Sequence, residues 1–185
     1  MAQSRLSRSW NDLIPAATIV RDGPSAAAYT QFGTTGFYLP MFSDNHGVDE
    51  IFQTGFQMSH MWAVATDAHF HLHVIPSANG SAGNEDVVLK LDYQWININS
   101  AFSTTTNTTV TATFRVGAAD ANTHLIWEFA ALSGSGKTLS SGLVATITRL
   151  SKTSASDNYT GNVYLIFTDA HVEVDRIGSA SEVTD

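Results

Sequence analysis

Three histidines at alternate positions, His69, His71 and His73, lie in the stretch Asp67-Ala-His-Phe-His-Leu-His-Val-Ile75. Imidazoles at this spacing can ligate a transition metal, titrate near neutral pH, or be held by carboxylates. In an extended strand successive side chains point to opposite faces, so the histidines form one row and Phe70, Leu72 and Val74 the other. The apolar row needs a core; the imidazole row needs partners. A late stretch, Asp169-Ala-His-Val-Glu-Val-Asp175, offers some, because Asp169, His171, Glu173 and Asp175 alternate in the same way. Adjacent strands would set carboxylates and water against the imidazoles. Three copies meeting at an axis would turn each histidine into a ring of three. A bound metal would draw on His69, His71, His73 and His171. The expectation is that no metal or other cofactor is required.

Other chemistry is poorly supported. Ala131-Leu-Ser-Gly-Ser-Gly-Lys-Thr138 has the outline of a phosphate-binding loop. That loop needs a helix behind it, whose amides hold phosphate. The residues that follow, Leu-Ser-Ser-Gly-Leu-Val-Ala-Thr-Ile-Thr, are those of a strand, so a hairpin loop is expected. No Gly-x-Ser-x-Gly elbow occurs. The acid pairs Asp49/Glu50 and Glu85/Asp86 are adjacent, so on a strand they point apart. Catalytic residues are therefore expected to be absent, and the chain is read as not an enzyme.

The elements that must carry these residues are β-strands. Asp86 to Ile98 alternates most clearly, with Val87, Leu89, Leu91, Tyr93 and Trp95 inward and Lys90, Asp92 and Gln94 outward. Val48–Met58, with a bulge expected at Gly55, Thr109–Val116, Thr123–Leu132, Gly142–Leu150 and Asn162–Asp175 complete the pattern. No amphipathic helix is evident. The expected fold is all-β, a jelly-roll-like antiparallel β-sandwich over residues 36–185, preceded by an irregular N-terminal arm over residues 1–35. In the last strand Val163, Leu165 and Phe167 share one face with Asp169 and His171. The opposite face is also mostly apolar. A strand apolar on both faces is covered on both, and an oligomer interface is one way to supply the second cover.

Composition sets limits. The chain has 185 residues, 14% of them charged, against roughly 25% in an average soluble domain. A surface so poor in charge suggests that other chains cover much of it. A net charge of -8 with nine basic residues argues against nucleic acid and against an anionic membrane surface. No apolar run is long enough to span a bilayer. The opening Met-Ala-Gln-Ser-Arg-Leu-Ser-Arg-Ser-Trp lacks the apolar centre of a secretory signal, so none is expected. With no cysteine there are no disulfides and no thiolate sites.

One paired pattern, His-x-His on a strand, resembles that of the cupin jelly-roll enzymes, which place a Glu a few residues later. Here Glu85 stands 12 residues after His73, beyond a glycine-rich loop. A cupin-like metalloenzyme is the rival reading.

Several separated pieces resemble another group. They are Trp10-Asn-Asp-Leu-Ile-Pro-Ala16, Gln57-Met-Ser-His-Met-Trp62, Asp67-Ala-His-Phe-His-Leu-His73, Leu91-Asp-Tyr-Gln-Trp95, and Asp169-Ala-His-Val-Glu-Val-Asp175 with Gly178-Ser179. Together they are similar to tailed-bacteriophage and prophage virion structural proteins. The resemblance implies a capsid cement (decoration) protein sitting as homotrimers on the shell, or else a head, tail-fibre or receptor-binding module. It implies that the partners are further copies of the chain and the major capsid protein or another virion protein. The location implied is the virion surface, after synthesis in the bacterial cytoplasm. Interface candidates are Trp10, Leu13 and Ile14 in the arm, His60 and Trp62, the row His69, His71 and His73, and Leu165 and Phe167.

Overall fold

The computed structural model describes residues 9–13, 18–19, 25–44, 47–81 and 85–175. These residues form β1 (Ser9–Leu13), β2 (Thr18–Ile19), β3 (Ala28–Gln31), β4 (Tyr38–Phe42), β5 (Glu50–Gln57) and β6 (Ala68–Pro76). They continue with β7 (Glu85–Ile96), β8 (Thr108–Val116), β9 (Leu125–Glu128), β10 (Gly142–Arg149) and β11 (Val163–Val174). One sheet runs β3-β4-β11-β6-β9, with β1 also pairing along β11; the other runs β2-β5-β10-β7-β8. All these strand pairings are antiparallel. The fold is a jelly-roll-like β-sandwich.

Side-chain alternation explains the sandwich. On β7, Val87, Leu89, Leu91, Tyr93 and Trp95 are buried, and on β5 Phe52, Thr54 and Phe56 are. From the facing sheet Phe70, Leu72 and Val74 of β6 enter the same core. Each such side chain contributes about 1.5–3 kcal/mol when fully buried. Gly55 does not interrupt β5, which keeps an even register with β10 through it. A Cβ there would stand 2.9 Å from the Leu143 carbonyl oxygen. The glycine serves close approach, where the sequence suggested a bend. The residues after β9 likewise cross from one sheet to the other, because β9 and β10 lie in different sheets. A hairpin loop was expected there.

The stretch read as an arm supplies strands. β1 pairs Ser9 to Leu13 against Val174 to Ala170, and β2 pairs with Thr54 and Gln53 of β5. β3 pairs with β4, so the hairpin between them crosses the expected boundary at residue 35. Ile14 lies outside the described residues, as do the side chains of Trp10 and Leu13.

β11 departs most from its reading. Its pairing with β6 shifts register between Leu165 and Phe167. Such a bulge adds one residue and reverses which side chains face in. Val163 and Leu165 point to the core before it; Thr168, Ala170 and Val172 do so after it. The Thr168 hydroxyl reaches across the core to that of Thr54, 2.9 Å away. Inward residues from both halves of β11 thus enter one interior, while Tyr164 and Ile166 are half-buried and Phe167 is exposed on the outer face. Leu165, at 1% exposure, belongs to the core and not to a subunit interface.

The core also encloses an ion pair. Arg149 Nη2 lies 3.0 Å from Asp157 Oδ1 and its Nε 3.2 Å from Oδ2. The remaining donors reach the carbonyls of Ser43, Tyr159 and Gly161.

Candidate functional site

The outer face of the first sheet carries the polar cluster. Three neighbouring strands, β9, β6 and β11, build it, and cross-strand partners on one face stand about 4.5–5.5 Å apart. The register pairs Glu128 with His71 and His71 with Asp169; it pairs Ile126 with His73, His73 with Phe167, and His69 with His171. The β11 bulge is what turns Asp169 and His171 outward into this face.

Asp169 is the centre. Its Oδ1 lies 3.5 Å from His71 Nδ1 and 3.4 Å from His73 Nε2, and its Oδ2 lies 3.4 Å from His171 Nε2. Glu128 closes one side, with Oε1 2.6 Å from His69 Nδ1 and Oε2 3.4 Å from His71 Nε2. His73 Nδ1 lies 2.7 Å from Nε2 of His124. The His71 and His171 rings meet edge to face at 4.1 Å, and the Phe167 ring stacks on His73 at 4.0 Å. These neighbours roof the strip. His71, His73 and Asp169 are only 5%, 8% and 3% exposed, although they stand on an outer sheet face.

Burial lowers the pKa of His73 below the ordinary imidazole value; the Asp169 charge opposes this, and His124 and His71 add to it. The Glu128 carboxyl is also held below its usual range, first by the hydrogen bond to His69 and further by the charges of His71 and His69. A pocket of about 300 Å³ opens beside the cluster, lined by His69, His71, Glu128 and His171. Two imidazoles with a carboxylate between them can hold a divalent metal or share protons.

His69, His71, His73 and His171 therefore come together, around an aspartate. Trp62 does not join an outer surface. It is fully buried, packs on Trp95 at 5.4 Å, and donates its indole N–H to Thr66 Oγ1. That corrects its reading as an interface residue. His60 stands apart, hydrogen-bonded to Ser140. Phe167 keeps 38% exposure and Ile126 57%, flanking His73. Glu128 and His124 were not singled out in the sequence. Their signal was there: with Trp127 and Phe129 inward, His124, Ile126 and Glu128 must alternate outward. Only the pairing of β9 with β6 gives that alternation meaning.

The chain matches no protein-family model and no curated protein sequence. Among solved structures it is similar to the mosquito-larvicidal Cry4Aa toxin from Bacillus thuringiensis, at 15% identity and a TM-score of 0.44. That match covers 91% of this chain and 24% of the toxin chain, so this chain spans about a quarter of the toxin's length. It is similar to CBM35 from Cellvibrio japonicus Abf62, at 14% identity, a TM-score of 0.34, and coverage of 94% of this chain and 100% of that one. It is also similar to CBM29_1, a family 29 carbohydrate-binding module from Piromyces equi, at 9% identity and a TM-score of 0.37, covering 90% and 92%. The likeness is one of β architecture.

Proposed function

We propose that the chain is a structural component of a tailed-phage particle, a capsid cement protein that assembles as a homotrimer and bridges capsomers on the shell. The observation that carries this reading is where the pieces that resemble virion proteins fall. Trp10-Asn-Asp-Leu lies on β1, the histidine stretch on β6 and the Asp169–Asp175 stretch on β11, three successive neighbours in one sheet. The Gln57–Trp62 segment joins them, because Ala63 N–H donates to Glu173 O at 2.8 Å and Trp62 bridges to Val174. Four of the five pieces thus meet at one sheet, while the fifth, Leu91–Trp95, lies on β7 of the facing sheet, where Trp95 packs on Trp62.

The surface supports contact with other chains. Tyr29, Phe37 and Tyr38 are 51%, 67% and 62% exposed on the β3–β4 hairpin, at the edge of the same sheet. Exposed aromatic groups of this size are typical of association surfaces. With few charges on the chain, such contacts bury apolar area at roughly 25 cal/mol per Å² with little desolvation cost. The role is structural rather than catalytic. A head-fibre, tail-fibre or receptor-binding module is the alternative within the same particle.

Mass spectrometry and immunogold labelling of purified phage particles from the protein's own source test the reading. Stoichiometric copies on the head surface are expected; label confined to the tail would favour the fibre module. Absence from particles would overturn both. Light scattering should give the mass of three chains.

A further inference from the structure

Three buried atoms in the outer-face cluster lack hydrogen-bond partners: His71 Nδ1, His73 Nε2 and Asp169 Oδ1. Their residues are more than nine-tenths buried, and both nitrogens converge on the one carboxylate oxygen. An unpaired buried carboxylate oxygen costs stability, so the arrangement needs a cause. The separations identify one. Charge-assisted N–H···O⁻ bonds are about 2.7–2.9 Å long. Two donors each roughly 2.0–2.1 Å from a tetrahedral ion stand about 3.3 Å apart. His71 Nδ1 to Asp169 Oδ1 is 3.5 Å, and His171 Nε2 to Asp169 Oδ2 is 3.4 Å.

The geometry points to a binding site for a divalent transition-metal ion of the zinc class, held by His71 Nδ1, the Asp169 carboxylate and His171 Nε2. Their ligand atoms lie within 4.8 Å of one another. Glu128 Oε2 stands 3.4 Å from His71 Nε2, the ring nitrogen turned away from the ion. His73 Nε2 lies 3.4 Å from Asp169 Oδ1 and is not among the three ligands. Two imidazoles with one carboxylate suit zinc, cobalt or nickel; magnesium and calcium require oxygen ligands throughout. The fourth position faces the pocket lined by His69 and Glu128, where water completes the shell. The ion would pin β6 to β11. This holds whether or not the chain joins a phage particle.

The test is titration of chelator-treated full-length protein with zinc and cobalt salts, followed by calorimetry, visible absorption and thermal melting. One ion per chain is expected, with an intense tetrahedral cobalt spectrum and a raised melting temperature. Magnesium and calcium should do neither. His171→Ala, at the half-exposed rim, and Asp169→Asn, which keeps the side chain's shape, should each weaken zinc binding by more than tenfold. Glu128→Gln should weaken it about 10- to 100-fold, and His60→Ala should leave it unchanged. Unchanged affinity in folded His171→Ala and Asp169→Asn proteins would overturn the assignment. So would one ion per three chains, which would place the ion on a symmetry axis, or no zinc binding at all.

Discussion

Asp157 grips Arg149 at two points inside the sandwich, and neither side chain has any exposed surface. Asp157 also accepts the Val88 N–H at 2.9 Å, so it ties the loop before β11 to β7 as well as to β10. Removing one partner of such a pair leaves an uncompensated buried charge, which costs about 3–5 kcal/mol. Asp157→Ala should lose that much stability in urea melts. A loss under about 1 kcal/mol would mean that water enters and screens the guanidinium.

Acidification should weaken the metal-free protein. The pKa of His73 is depressed in the folded state, so at high pH both states are neutral and the group costs nothing. As pH falls through the ordinary imidazole value of about 6.5 the unfolded chain binds a proton that the folded one refuses, and stability declines until the folded pKa is passed. Glu128, also depressed, adds a second decline in the carboxylate range. Thermal midpoints measured with chelator present should therefore drop between pH 7.5 and 5.5, and His73→Gln should flatten the drop.

Phe167 is part of the cover that keeps water from His73. Phe167→Ala should let the imidazole resonances of His73 titrate closer to the ordinary value in NMR. If the pKa stays where it is, the stacked ring is not a source of the desolvation.

How much of this was legible follows from what repeats along a chain. Period-two alternation placed Val87 to Trp95 and Phe70 to Val74 correctly, because core burial depends only on the local pleat. It also aligned the three histidines. What it could not supply was the neighbour of each strand. Glu128 entered the site only because β9 happens to pair with β6, a relation spanning more than fifty residues that no local pattern encodes. Trp62 was misplaced for a related reason: a Trp in a turn reads as exposed unless Trp95 is known to lie beneath it. The doubly apolar β11 was misread because a bulge leaves no residue signature of its own there.

β1 covers part of an edge that would otherwise be open. Deleting residues 1–13 strips the backbone partners from Ala170 to Val174. Unpaired strand edges recruit other strands. The truncated chain should melt at a lower temperature and associate with rising concentration in light scattering. An unchanged melting temperature would mean that β1 adds nothing to the sheet.

The exposed hairpin offers a direct test of shell contact. Phe37→Ser with Tyr38→Ser removes two aromatic groups that are not part of the buried core. Circular dichroism should be unaffected, while co-sedimentation with phage heads should fall at least tenfold. Undiminished binding would move the contact surface elsewhere.

The extra residue in β11 gives the strand slack in its length. Upstream of it odd-numbered residues look inward, and downstream even-numbered ones do. Deleting Ile166, the residue without a partner on β6, would give a regular strand in which Leu165 still faces Val74 and Phe167 still faces His73, so Asp169 and His171 would stay outward and Ala170 and Val172 inward. The strand can lose one residue without exchanging its faces, because the outward places of the aspartate and histidine are set by register against β6.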